Sequence, residues 1–88
     1  MFPRIIEVDY IEAYQLELIF ESGEKGKLDF KDRIVGRGGV FSALENTAFF
    51  SQVQVDPEIG TIVWPNEVDF CPDVLYGEVT GNPLPLAA

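Results

Sequence analysis

From Arg4 to Phe30 apolar and polar residues alternate with a period of two, and this pattern constrains the fold more than any other feature of the chain. Side chains along a β-strand point alternately to opposite faces, so such alternation describes a sheet with one face on a core and one in water. A first strand over Arg4 to Tyr10 sets Ile6, Val8 and Tyr10 against Glu7 and Asp9. A second sets Tyr14, Leu16, Leu18 and Phe20 against Gln15 and Glu17. The two are joined near Ile11 to Ala13 by a tight turn that contains no glycine. Ser22-Gly23 then marks a hairpin turn, because glycine readily takes the positive φ such turns require. A third strand from Lys25 to Phe30 turns Leu28 and Phe30 inward, which completes a three-stranded antiparallel meander.

The period changes after Phe30. Asp29 and Asp32 are placed to cap a short turn through Ile34-Val35, which Gly36-Arg37-Gly38-Gly39 breaks. Phe41, Leu44 and Ala48 follow at helical spacing, and Asn46 can cap a further turn through Phe49-Phe50. Together they read as one short interrupted helix lying on one face of the sheet. Val53 and Val55 alternate with glutamines, Asp56-Pro57-Glu58-Ile59-Gly60 is a turn, and Thr61 to Trp64 is a strand that Pro65 ends. Pro72 suits the first position of a helix through Val74, Leu75 and Tyr76, one or two turns long and ended by Gly77 or Gly81. The expectation is an α+β fold: three-stranded antiparallel meander, short helical segment, two-strand hairpin and short C-terminal helix. Residues 1–80 form one domain and residues 81–88 an extended or disordered tail.

Charge is unevenly distributed. The net charge is -9, yet Lys25, Lys27, Lys31, Arg33 and Arg37 form a small basic island, and no Lys or Arg follows Arg37. A polyanion is repelled by such a surface within a screening length of about 8 Å, so direct nucleic-acid binding is disfavoured. The acids suit a basic protein partner, and they also promote solubility. Apolar runs such as Leu18-Ile19-Phe20 fall far short of the ~20 residues of a membrane-spanning helix. No signal-type segment is seen at the N-terminus, and the single Cys71 cannot form an internal disulfide; a cytoplasmic location is expected.

The chemistry available is narrow. The chain has no histidine, which removes the commonest general base and zinc ligand together. Cys71, beside Pro72 and near Asp69 and Asp73, sits where thiolate formation is disfavoured, and it reads as a packing residue. Glu67, Asp69 and Asp73 are the one cluster that could hold a hard cation, but their spacing matches no calcium loop. Helix capping by Asp69 and dipole stabilisation by Asp73 account for them more simply. No catalytic residue, metal or cofactor is expected. Gly36 to Gly39, with Arg33 and Arg37, could cradle an anion, although the ending of a phosphate-binding loop is missing. Trp64, Tyr76, Phe49 and Phe50 could line a groove, yet a domain this small needs them for its core.

One stretch carries a family resemblance. An aromatic strand end at Trp64, then Asn66, Asp69, Pro72, Asp73 and Leu75-Tyr76, resembles the small bacterial proteins grouped as domain of unknown function 2442. Pro3, Val8, Tyr14 to Leu18, Phe20 before Ser22-Gly23-Glu24, Asp29, Phe41, Leu44 and Phe50 fit the same resemblance. Glu67 departs from it, standing where many members carry glycine. The resemblance implies a small α+β protein with no established activity. Some members carry an appended helix-turn-helix domain, which is not expected here, and some are encoded in pairs suspected of toxin and antitoxin roles.

The expected function is therefore a non-enzymatic protein-interaction module, with the antitoxin-like half of a two-gene pair as the form the resemblance implies. Its candidate partner-binding residues are Trp64, Asn66, Glu67, Asp69, Asp73 and Tyr76. The alternative is a small-ligand or anion sensor that uses Arg33 and Arg37 in the 33–39 loop. A five-stranded sheet would also leave edges that a second copy could cover, which keeps a homodimer among the partners to test.

Overall fold

The computed structural model describes residues 3–81, so the expected tail beyond Gly81 lies outside the described residues. In chain order the elements are β1 (Ile5–Glu12), β2 (Gln15–Phe20), β3 (Lys25–Asp29), α1 (Lys31–Ile34), a 3-10 helix (Gly39–Glu45), α2 (Thr47–Phe50), β4 (Gln54–Asp56), β5 (Thr61–Val63) and α3 (Pro72–Thr80). The fold is α+β. The strands divide into an antiparallel sheet of order β1-β2-β3 and a separate β4-β5 hairpin, which corrects the expectation of one five-stranded sheet.

β2 follows the sequence pattern: Leu16, Leu18 and Phe20 are fully buried. β1 departs from it. Ile5 pairs with Phe20 and is buried, whereas Ile6, expected inside, is 51% exposed. A register shift between Ile5 and Glu7 is the reason. One extra residue in a strand reverses the alternation, so Ile5 and Val8 reach the same face although they are three apart. A second shift lies between Tyr10 and Glu12. The connection to β2 is the two-residue Ala13-Tyr14, and Ala13 supplies the positive φ, 49°, in place of a glycine.

Helical structure is more fragmented than one interrupted helix. Asp29 Oδ1 accepts from the Lys31 amide at 2.9 Å at the entry to α1. Asn46 Oδ1 accepts from the amides of Ala48 (2.9 Å) and Phe49 (3.3 Å), which caps α2 as expected. Leu44 and Phe50 enter the core, but Ala48 remains exposed because the 3-10 geometry before Asn46 does not maintain the α-helical period.

α3 is longer than anticipated, running through a buried Gly77 to a left-handed Gly81 with φ 76°. Its approach to the sheet depends on Gly26 of β3. A Cβ added there would stand 2.8 Å from Val79 Cγ1, inside contact distance, so only glycine lets α3 pack this closely. The core beneath it joins Ile5, Leu16, Leu18, Phe20, Phe30 and Ile34 to Leu44, Phe50, Ile62, Trp64, Val68 and Leu75. Its aromatic rings meet edge to face or tilted, with Phe30 and Trp64 in reach of each other and each in reach of both Phe50 and Phe70.

Candidate functional site

The segment between β5 and α3 is fixed from several sides. The Trp64 amide donates to the Val68 carbonyl at 2.9 Å and the Glu67 amide to the Trp64 carbonyl at 2.8 Å, which makes a tight turn. Asn66 ties that turn to the 3-10 helix: its Nδ2 donates to the Val40 carbonyl (3.0 Å) while its Oδ1 accepts from the Val68 amide (3.4 Å). Asp69 forms an antiparallel bridge with Val63. The Thr61 hydroxyl, buried, donates to the Phe70 carbonyl at 2.6 Å.

The six partner-binding candidates therefore separate. Trp64 is 2% exposed and its indole donates to the Phe50 carbonyl at 2.8 Å, which places it inside the core and away from any partner surface. Tyr76 packs edge-on against Phe20 with ring centroids 5.1 Å apart. Asn66 is exposed but spends its side chain on the turn. Glu67 and Asp69 are exposed and Asp73 is half-buried in the first turn of α3. The capping role expected of Asp69 is corrected: Cys71 occupies the N-cap without a side-chain hydrogen bond, because the bridge to Val63 holds Asp69 two residues too early. Cys71 is exposed rather than packed, as its place at the helix entry dictates.

Glu67 has φ 69°, a left-handed conformation that costs an L-residue roughly 1–2 kcal/mol. Its departure from the glycine of the family pattern thus falls where glycine would relieve strain.

In the 33–39 loop the cationic groups are engaged within the chain. Arg33 pairs with Glu78 of α3 and stacks over the Phe30 ring at 5.1 Å. Arg37 Nε donates to the Asp32 carbonyl at 3.1 Å, and the Gly36 amide donates to Glu45 Oε2 at 3.3 Å. An incoming anion would have to displace these contacts. Among the described residues no three Asp, Glu or Cys side chains converge to hold a metal ion.

A second acidic surface, absent from the candidates read off the sequence, lies on β1. Glu7, Asp9 and Glu12 are exposed there beside Ile6, Tyr10 and Ile11, whereas β3, at the opposite edge of the sheet, exposes Lys25 and Lys27. Asp9 lies directly opposite Glu17, and like charges in such a pair repel. Among the described residues only Arg4 with Glu21 and Arg33 with Glu78 form ion pairs, so the β1 acids and Glu67, Asp69 and Asp73 have no cation within 4.0 Å. The signal that could have marked this strand is its apolar doublets, Ile5-Ile6 and Tyr10-Ile11, which interrupt strict alternation at the two register shifts.

Fold and surface together define a small acidic α+β domain whose aromatic residues are spent mainly on its core. The chain belongs to the DUF2442 family, described as proteins of unknown function, whose model matches residues 5–81. No curated protein and no solved structure matches it.

Proposed function

We propose that the protein is a non-enzymatic interaction module that binds a basic protein partner through Glu67, Asp69 and Asp73, in the manner of the neutralising half of a two-gene pair. The observation that carries this reading is the combination of rigidity and unpaired charge in the segment before α3. Hydrogen bonds from Asn66, Glu67 and Trp64 fix its backbone, while Glu67 and Asp69 within it and Asp73 in the first turn of α3 have, among the described residues, no cation within 4.0 Å. Preorganised charge of one sign steers and orients a partner of the opposite sign with little ordering cost. On this reading the protein acts in the cytoplasm, without a cofactor and without contacting nucleic acid itself.

The test compares the wild-type chain with the Glu67→Lys, Asp69→Lys, Asp73→Lys triple variant as bait in a nuclease-treated lysate at low and high salt. The expected result is a near-stoichiometric basic protein that wild type retains at low salt and that the triple variant loses. Equal retention by both baits would remove these three acids from the interface.

A further inference from the structure

Among the described residues β1 and β4 each pair on one side only, β1 with β2 and β4 with β5. Both line one groove, of about 410 Å³, whose walls are Ile6 to Asp9 and Val53 to Val55. The Ile5 amide reaches the Gly60 carbonyl at one end of the hairpin (2.9 Å), but among the described residues no backbone hydrogen bond joins β1 to β4. Unpaired strand edges are templates for another strand, and proteins normally protect them with bulges and charges.

β1 has both devices, a bulge at Ile6 and the charges of Glu7 and Asp9, and all its exposed charges are negative. That choice of sign repels the β1 edge of a second copy, since acids would face acids, and favours a strand that carries cations. The remaining lining is apolar: Ile6 is 51% exposed, and Val8, Val53 and Val55 are half-buried. We infer that this groove docks an extended segment of a basic protein in which Lys or Arg alternates with apolar residues. Strand addition supplies the affinity, Glu7 and Asp9 receive the cations, and the valine floor takes the apolar side chains. The inference takes the partner's charge from the proposed function but places it on a different surface.

The experiment is an amide-resolved NMR titration of the full chain with two synthetic octapeptides of equal composition, one alternating Lys and Val, the other a block of Lys followed by a block of Val. The alternating peptide is expected to shift the amides of Ile6 to Asp9 and Val53 to Val55, to slow hydrogen exchange on β1, and to bind about tenfold more tightly than the block peptide. The Glu7→Lys, Asp9→Lys variant, altered only at exposed positions, is expected to keep the native spectrum and lose that binding about tenfold. Shifts confined to residues 66–73 would overturn the groove while leaving the proposed function standing. Equal binding of both peptides would overturn strand addition. Concentration-dependent self-association that involves the same amides would assign the groove to a second copy, whose Lys25 and Lys27 offer the same chemistry, and would overturn the partner named here. No shift at any residue would overturn it as well.

Discussion

The three-stranded sheet and the β4-β5 hairpin are both antiparallel, but they are held together by different means. β2 pairs with β1 along its whole length and with β3 from Gln15 to Ile19, with Leu16, Leu18 and Phe20 entering the core at every second position. β4 and β5 have three residues each, and a lone two-stranded hairpin is marginal in water. Its anchors come instead from distant residues. The Trp64 indole reaches the Phe50 carbonyl, the Thr61 hydroxyl reaches the Phe70 carbonyl, the Ile5 amide reaches Gly60, and Arg4 donates to the Pro57 carbonyl. Long ladders make a sheet that its own sequence specifies, whereas a short hairpin borrows its stability from the core and from the ends of other elements.

The largest test of that contrast is Trp64→Ala. It removes a buried ring and leaves the Phe50 carbonyl with only the longer bond from the Val53 amide, so a loss of about 3–5 kcal/mol is expected in urea denaturation. Such a loss is a large share of a small domain's stability. A cost below about 1 kcal/mol would show that the hairpin stands on its own ladder.

Next in size is Gly26→Ala, which tests whether packing also limits the sheet. Crowding against Val79 is expected to cost about 1–3 kcal/mol, and adding Val79→Ala should recover part of it. Additive losses in the double variant would mean that the two positions do not act on one another.

Smaller changes sharpen the comparison at the two left-handed non-glycine residues among those described, Ala13 in the β1-β2 turn and Glu67 after the hairpin. Glycine at either position is expected to raise stability by up to about 1 kcal/mol, the relief of strain being partly cancelled by the entropy of a freer unfolded chain. Thermal denaturation of both variants would show whether the two turns carry equal strain. The smallest effect expected is that of Glu78→Gln, which breaks the ion pair between α3 and α1. Both partners are partly open to solvent, so the cost in a denaturation curve should be about 1 kcal/mol or less.

The legibility of these regions in the sequence follows the same division. The meander, the Asn46 cap, the stop at Pro65 and the first helical position of Pro72 are written in local pattern. At the candidate surface, Glu67 and Asp69 are exposed as their charge suggests, whereas Trp64 lies in the core and Asn66 serves as a strut. Aromatic type alone does not distinguish a core ring from a docking ring. The exposed Ile6 is not legible in strict alternation because the bulge between Ile5 and Glu7 buries Ile5 in its place, while Val8 keeps the inward face and Glu7 and Asp9 the outward one.

By itself, then, the sequence determined which segments alternate, where strands and helices stop, and how strongly the surface is charged, because these properties depend on neighbours within a few positions. Tertiary structure decided that Ile5 and not Ile6 is buried, that five strands form two sheets, and that β1 and β4 line one groove. Each of those outcomes rests on contacts between residues far apart in the chain, such as Ile5 with Gly60 and Trp64 with Phe50, for which local periodicity carries no information.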